Sequence, residues 1–220
     1  VVFNTSMTGY QEILTDPSYC EQIVTMTTAH VGNYGVAGDD AESRKVHASG
    51  FIARHFSQVH SSWRAEDGLD RYLKENGIPG LQGIDTRALV RHIRDKGAMK
   101  AVISTDGSSG DELWGHLRDW PGMEGRALAH EVSCREPYVY ADPDNPRLVV
   151  NVLDGGVKQN ILRLLAESGA KVNVFPSTAT AAELEAGADF VFLSNGPGDP
   201  AALPGMVEEV RKLFGRVPLF

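Results

Sequence analysis

Apolar residues along this 220-residue chain are distributed in two regimes, one regular and one not. From residue 148 onward the pattern is regular. LVVNVLD (148–154) is a nearly continuous apolar run, as expected for a strand buried on both faces. Gly155 and Gly156 make a turn, and Val157, Ile161, Leu164 and Leu165 then recur at helical spacing until Gly169. KVNVF (171–175) predicts a second strand closed by Pro176, and TAAELEAG (180–187) a short helix with Thr180 as its N-cap. FVFLS predicts a third strand, PGMVEEVRKLF a third helix, and VPLF (217–220) the start of a fourth strand. Strands alternating with helices through short connections predict a mainly parallel sheet with helices on its faces.

The first part is less regular. VVFNT (1–5) and QIVTMT (22–27) predict strands, separated by a turn-rich excursion, MTGYQEILTDPSY (7–19). GDDAESRKVHASGFIARHF (38–56) is a polar loop running into a strand or a helix, which the pattern does not separate. EDGLDRYLKENG predicts a helix ending at Gly77. IDTRALVRHIRDKG predicts a clearer one, with Asp85 as N-cap, a stripe of Leu89, Val90 and Ile93, and Gly97 as its stop. MKAVIS (99–104) predicts a strand and DELWGHLRDW (111–120) a surface helix. The proline-bearing, acidic stretch 137–147 predicts a linker. The expected organisation is α/β overall: an α+β domain over 1–136, the linker, and a parallel α/β domain over 148–220.

Composition narrows the function classes. A hydrophobic fraction of 42% and a charged fraction of 23% are those of an ordinary globular protein. A net charge of −8 without any basic run argues against nucleic acid or an anionic membrane surface as partner. No apolar stretch is long enough to span a bilayer. Two distant cysteines, Cys20 and Cys134, fit a reducing, cytoplasmic setting better than a disulfide framework. Both chain ends fall inside apolar runs, VVFNT and RVPLF, and are expected to be cut edges of strands.

The chemistry on offer is sparse. LSNGPGDP (193–200) follows a predicted strand of the parallel sheet, at the end where ligands of such sheets bind. Glycines there admit close backbone approach, and the loop can hold a carboxylate, an amide or an oxyanion. From spacing alone a tight loop needing positive φ is the favoured reading. Gly155-Gly156 is not a GxGxxG motif and no GKS or GKT occurs, which argues against a nucleotide site. His47, His55 and His60 match no metal spacing, and no metal site is expected. Arg135 beside Cys134 would lower a thiol pKa, but no glycine elbow surrounds it, and Glu21 beside Cys20 disfavours a thiolate.

Four runs together identify a family: NTSMTGYQEILTDPSY, GLQGIDTRALVRHIRDKGAM, GVKQNILRLL and LSNGPGDP, in this order and at these separations. The chain resembles, over essentially its whole length, the small, glutamine-hydrolysing subunit of carbamoyl phosphate synthetase. The resemblance implies an N-terminal domain that docks on the large synthetase subunit and a class I glutamine amidotransferase domain, of which this chain carries the first part. It implies glutamine as substrate, with Ser18, Gly196 and Gly198 as glutamine-binding residues, and ammonia tunnelled to the large subunit. No cofactor is expected on this subunit; ATP and Mg2+ are expected on the large one. The resemblance also places the nucleophilic cysteine in an elbow just after Phe220, with the histidine and acid of its triad further on. No catalytic residue is therefore expected in the chain itself, which is expected to be inactive alone. LDGGVKQN departs from the family, which usually has an aromatic before the second glycine; the expected effect is on packing. Two other readings stand beside this one, a non-catalytic docking scaffold and the glutaminase of another pathway such as anthranilate or GMP synthesis.

Overall fold

In the computed structural model, which describes residues 1–220, the chain divides between Gly122 and Met123 into two units, each with its own sheet and core. In the first unit, strands β1 (Val2–Asn4), β2 (Ile23–Met26), β4 (Gly50–Ile52) and β6 (Gly80–Leu81) pair in the order β1-β2-β4-β6. Every pairing is parallel. Helices and strands are mixed, as expected for an α+β unit, and the sheet they share is parallel throughout. All four residues of β2 are buried, because a strand flanked on both edges and covered on both faces has no polar side to show. Two further short strands, β3 (His30–Val31) and β5 (His55–Phe56), form a separate parallel pair.

The segment read as a turn-rich excursion contains helix α1 (Tyr10–Thr15), followed by a 3-10 turn at Pro17–Tyr19. Six residues are too few for periodicity to stand out, yet Tyr10, Ile13 and Leu14 sit at i, i+3 and i+4 and are all buried. Gly9, at φ 81°, supplies the left-handed entry. The ambiguous stretch 38–56 resolves into a 3-10 turn at Gly38–Asp40 and strands β4 and β5. Helices α2 (Leu69–Glu75) and α3 (Thr86–Lys96) stand where the pattern put them, Asp85 accepting the Ala88 N–H at 3.0 Å. Helix α4 (Gly110–Asp119) starts on a Ser109/Glu112 capping box. MKAVIS is not a strand; it runs without ladder partners in any of the sheets.

The second unit begins with helix α5 (Leu128–Val132) and contains strands β7 (Tyr138–Ala141), β8 (Val149–Asp154), β9 (Lys171–Pro176) and β10 (Phe190–Leu193), in the order β10-β8-β9-β7. The three inner strands are parallel and β7 is antiparallel at the edge. Residues 218–220 begin a further pairing beside β10, the Phe220 N–H bonding the Val191 carbonyl at 3.0 Å. The expected linker is thus corrected. Its residues 138–141 form β7, and residues before it are tied to the same unit: Ser133 Oγ accepts the Ser177 N–H at 2.8 Å, and the Cys134 N–H bonds Asp154 at 2.7 Å. Pro137, Pro143 and Pro146 flank an edge strand, which tolerates prolines because only one side of it is paired.

Successive residues of β8 point to opposite faces. Val150 and Val152 join a cluster with Leu162 of α6 (Gln159–Glu167), while Leu153 joins one with Leu184 of α7 (Ala181–Glu185) and Leu213 of α8 (Pro204–Leu213). Asn151 is fully buried on the second face, and its amide is satisfied by the Leu184 carbonyl at 2.8 Å and by Asn173 at 2.8 Å. The α6 stripe differs from the expected one: Leu162 is wholly buried, while Leu164 is 58% exposed. Two residues along a helix is 200° round its axis, so one of the pair must face outward.

Candidate functional site

β10 and β8 run parallel, so their carboxyl ends open at the same edge of the sheet, and two loops meet there. The first follows β8. The Asp154 carboxylate is buried and accepts the N–H groups of Gly156 and Val157, both at 2.8 Å, and of Cys134 at 2.7 Å. An aspartate that accepts from the residues two and three ahead closes its own turn. It holds the start of the loop.

The second loop follows β10. Ser194 Oγ accepts the Gly155 N–H at 2.9 Å and donates to the Asn195 carbonyl at 2.8 Å, so one hydroxyl staples both loops. A Cβ on Gly196 would lie 2.9 Å from the Gly155 carbonyl carbon and closer still to its oxygen. Gly196 is therefore required by the contact between two backbones, a reason the sequence did not supply. Gly198 adopts φ 84°, with its missing Cβ position 3.3 Å from the Arg126 carbonyl, so the positive-φ reading of this loop holds there. Asp199, the one acid of the loop, caps the 3-10 turn Pro200–Ala202 by accepting the Ala201 N–H at 2.9 Å.

Gly196 and Gly198 both border a cavity of about 350 Å³ whose other walls are mainly apolar, among them Leu193, Leu203, Met206, Val210 and Phe214. The structure thus brings these two predicted site residues together. Ser18 belongs to the first unit, in the 3-10 turn capped by Asp16, where its N–H bonds Asp16 Oδ1 at 2.8 Å. The braces Asp154 and Ser194 escaped the sequence reading. An acid directly before Gly155-Gly156 was a usable signal for the first; nothing local signals the second.

The titratable groups offer no assembled nucleophile. Burial first, and then the Asp154 charge, push the Cys134 thiol up to about 12, so the neighbouring Arg135 does not yield a thiolate. Burial, reinforced by Lys45, pushes His47 down to about 4, leaving a neutral packing residue. His55 and His30 pair edge to face at 5.3 Å between rings, and no group of His, Cys, Asp and Glu can hold a metal ion. No helix is long and apolar enough to cross a membrane.

Residues 1–103 match the family described as carbamoyl-phosphate synthase small chain, CPSase domain, and residues 151–220 match glutamine amidotransferase class-I. Over its whole length the chain is 48% identical to the carbamoyl phosphate synthase small chain of Syntrophotalea carbinolica and 47% identical to that of Nitratidesulfovibrio vulgaris. Identity to the small chain of Aquifex aeolicus is 46%. The chain spans 62% of the length of each of these relatives.

Proposed function

The chain belongs to the family of carbamoyl phosphate synthase small chains, and from that premise we propose that it forms part of a subunit that hydrolyses glutamine to glutamate and ammonia. The ammonia passes to a large synthetase subunit, which makes carbamoyl phosphate from it with bicarbonate and ATP. One observation carries the glutamine reading: the loop over 194–199, fixed at the carboxyl edge of a parallel sheet, presents Gly196 and Gly198 at the wall of a cavity. At these two positions the chain offers peptide groups and no side chains, which suits the recognition of a carboxamide and of the oxyanion formed when it is attacked. Ser18 is assigned to the same substrate on the family match alone.

Hydrolysis in this reading is covalent catalysis, a thiolate attacking the glutamine carboxamide carbon, with ammonia leaving and water releasing glutamate. Neither cysteine of this chain is assigned that role, because Cys134 is held protonated and its backbone N–H serves the Asp154 turn. ATP and Mg2+ act on the large subunit, and the protein works in the cytoplasm. The match of residues 1–103 favours carbamoyl phosphate over another amidotransferase pathway.

The test is a glutaminase assay on the purified 220-residue polypeptide beside the complete gene product bound to its large subunit. The polypeptide is expected to release glutamate at the background rate. The complex is expected to be active, and to lose activity at least 100-fold on Gly198→Val. Glutamate release by the 220-residue polypeptide itself, abolished by the same substitution, would overturn the assignment of roles.

A further inference from the structure

A second cavity, of about 300 Å³, lies in the first unit and is walled by Thr8, Gly9, Glu12, Tyr34, Asp40 and Arg64 among others. Its walls are held firmly. Tyr34 stacks on Tyr10 with 4.3 Å between ring centroids, and its hydroxyl accepts the Gly9 N–H at 2.6 Å. Asp40 is taken by Arg64 at 2.6 Å. The Glu12 carboxylate lies over Gly9, 3.7 Å from where a Cβ would stand, and its Oε2 is buried with no hydrogen-bond partner. An ordinary solvated glutamate keeps its oxygens in water, and a buried acceptor without a donor is costly. Desolvation raises the Glu12 pKa accordingly. With Arg64 engaged by Asp40, the cavity holds one carboxylate in excess.

The rim supplies an independent observation. Trp63 is 94% exposed and Met7 81% exposed. Trp63 stands between Ser62 and Arg64, and Met7 precedes Thr8, all three of those neighbours lining the cavity. Exposed large apolar side chains that adjoin in sequence the residues lining a polar pocket are what a protein interface covers. A water molecule would satisfy Glu12 but would leave Trp63 and Met7 bare.

We propose that this face is a protein-docking surface in which a lysine or arginine side chain of the partner enters the cavity and pairs with Glu12, while Met7 and Trp63 close around it. The inference rests on the reading above, in which the partner is the large synthetase subunit. A cationic group meets the excess carboxylate and donates to the orphaned oxygen, and its aliphatic stem packs against the tryptophan.

The experiment measures affinity between the complete small subunit and its large subunit by surface-immobilised binding, with melting temperatures of the free small subunit alongside. Glu12→Gln is expected to weaken binding at least tenfold, mainly through faster dissociation, while the free subunit melts at the same temperature or higher. That pairing of weaker binding with undiminished stability is what a purely structural glutamate would not give. Trp63→Ala, which removes a nearly fully exposed side chain, is expected to weaken binding to a similar degree without altering the melt. Trp114→Ala, exposed on α4, is expected to change neither. Wild-type affinity in either Glu12→Gln or Trp63→Ala, or a clear fall in melting temperature for Glu12→Gln, would overturn the proposal. If the unsubstituted subunit fails to bind at all, the partner reading falls and this inference with it.

Discussion

At the scale of single residues, the glycines of the loop after β10 show how one amino acid serves different ends a few positions apart. Gly196 is needed because another backbone lies where its Cβ would be, whereas Gly205, on the exposed first turn of α8, has nothing within 4 Å. The same substitution is therefore expected to have opposite signs. Gly196→Ala should destabilise by about 1–3 kcal/mol through overpacking, and Gly205→Ala should stabilise by about 0.5–1 kcal/mol through lower unfolded-state entropy. Urea denaturation of the two variants checks both. Cys134 carries a pH prediction. Its folded pKa of about 12 lies above the ordinary value of 9.0, so between those limits the unfolded chain loses a proton that the folded chain keeps. Stability contributed by the protonated thiol is complete below pH 9 and is lost as pH rises toward 12. Cys134→Ala should flatten that part of the stability curve. Alkylation of Cys134 at pH 8 should be slower than that of a free thiol, as mass spectrometry of the labelled peptide would show.

At the scale of elements, helix ends were legible because capping chemistry is local. Asp85, Thr180, Gly97 and Gly169 all stand where the sequence placed them, since an N-cap answers to the three residues after it and a C-terminal glycine to the three or four before it. Buried faces were less legible. Periodicity within α6 allowed Leu164 into the stripe, and only the position of β8 and β9 selects Leu162 instead. Leu162→Ala is accordingly expected to cost about 2–5 kcal/mol, and Leu164→Ala less than about 0.5 kcal/mol, by chemical denaturation. The helix α1 escaped notice for a related reason: with one and a half turns, its stripe of Tyr10, Ile13 and Leu14 has no repeat to betray it. Conversely, MKAVIS has the composition of a strand and lacks a partner, and pairing is a property of two segments.

At the scale of the whole molecule, the division at Gly122/Met123 differs from the composition break at 137–147, and the difference can be measured. A fragment covering 123–220 keeps β7 and the hydrogen bonds from Ser133 and Cys134, whereas 148–220 leaves β9 with an open edge and Asp154 short of a donor. The shorter fragment is expected to unfold at a lower urea concentration and to self-associate through the exposed strand, which sedimentation would detect. The amino-acid sequence by itself determined the strand-helix alternation of the second unit, its caps and turns, and, through four motif runs, the family that the chain resembles. These follow from interactions a few residues long or from patterns that survive without coordinates. Tertiary structure alone decided which glycine answers to a neighbouring backbone, that Asp154 and Asp199 close turns, that Cys134 is held as a thiol, and that one oxygen of Glu12 is buried without a hydrogen-bond partner. Each of those facts depends on groups distant in sequence meeting out of water, where a missing hydrogen bond or an ångström of misplacement costs what solvent would otherwise absorb.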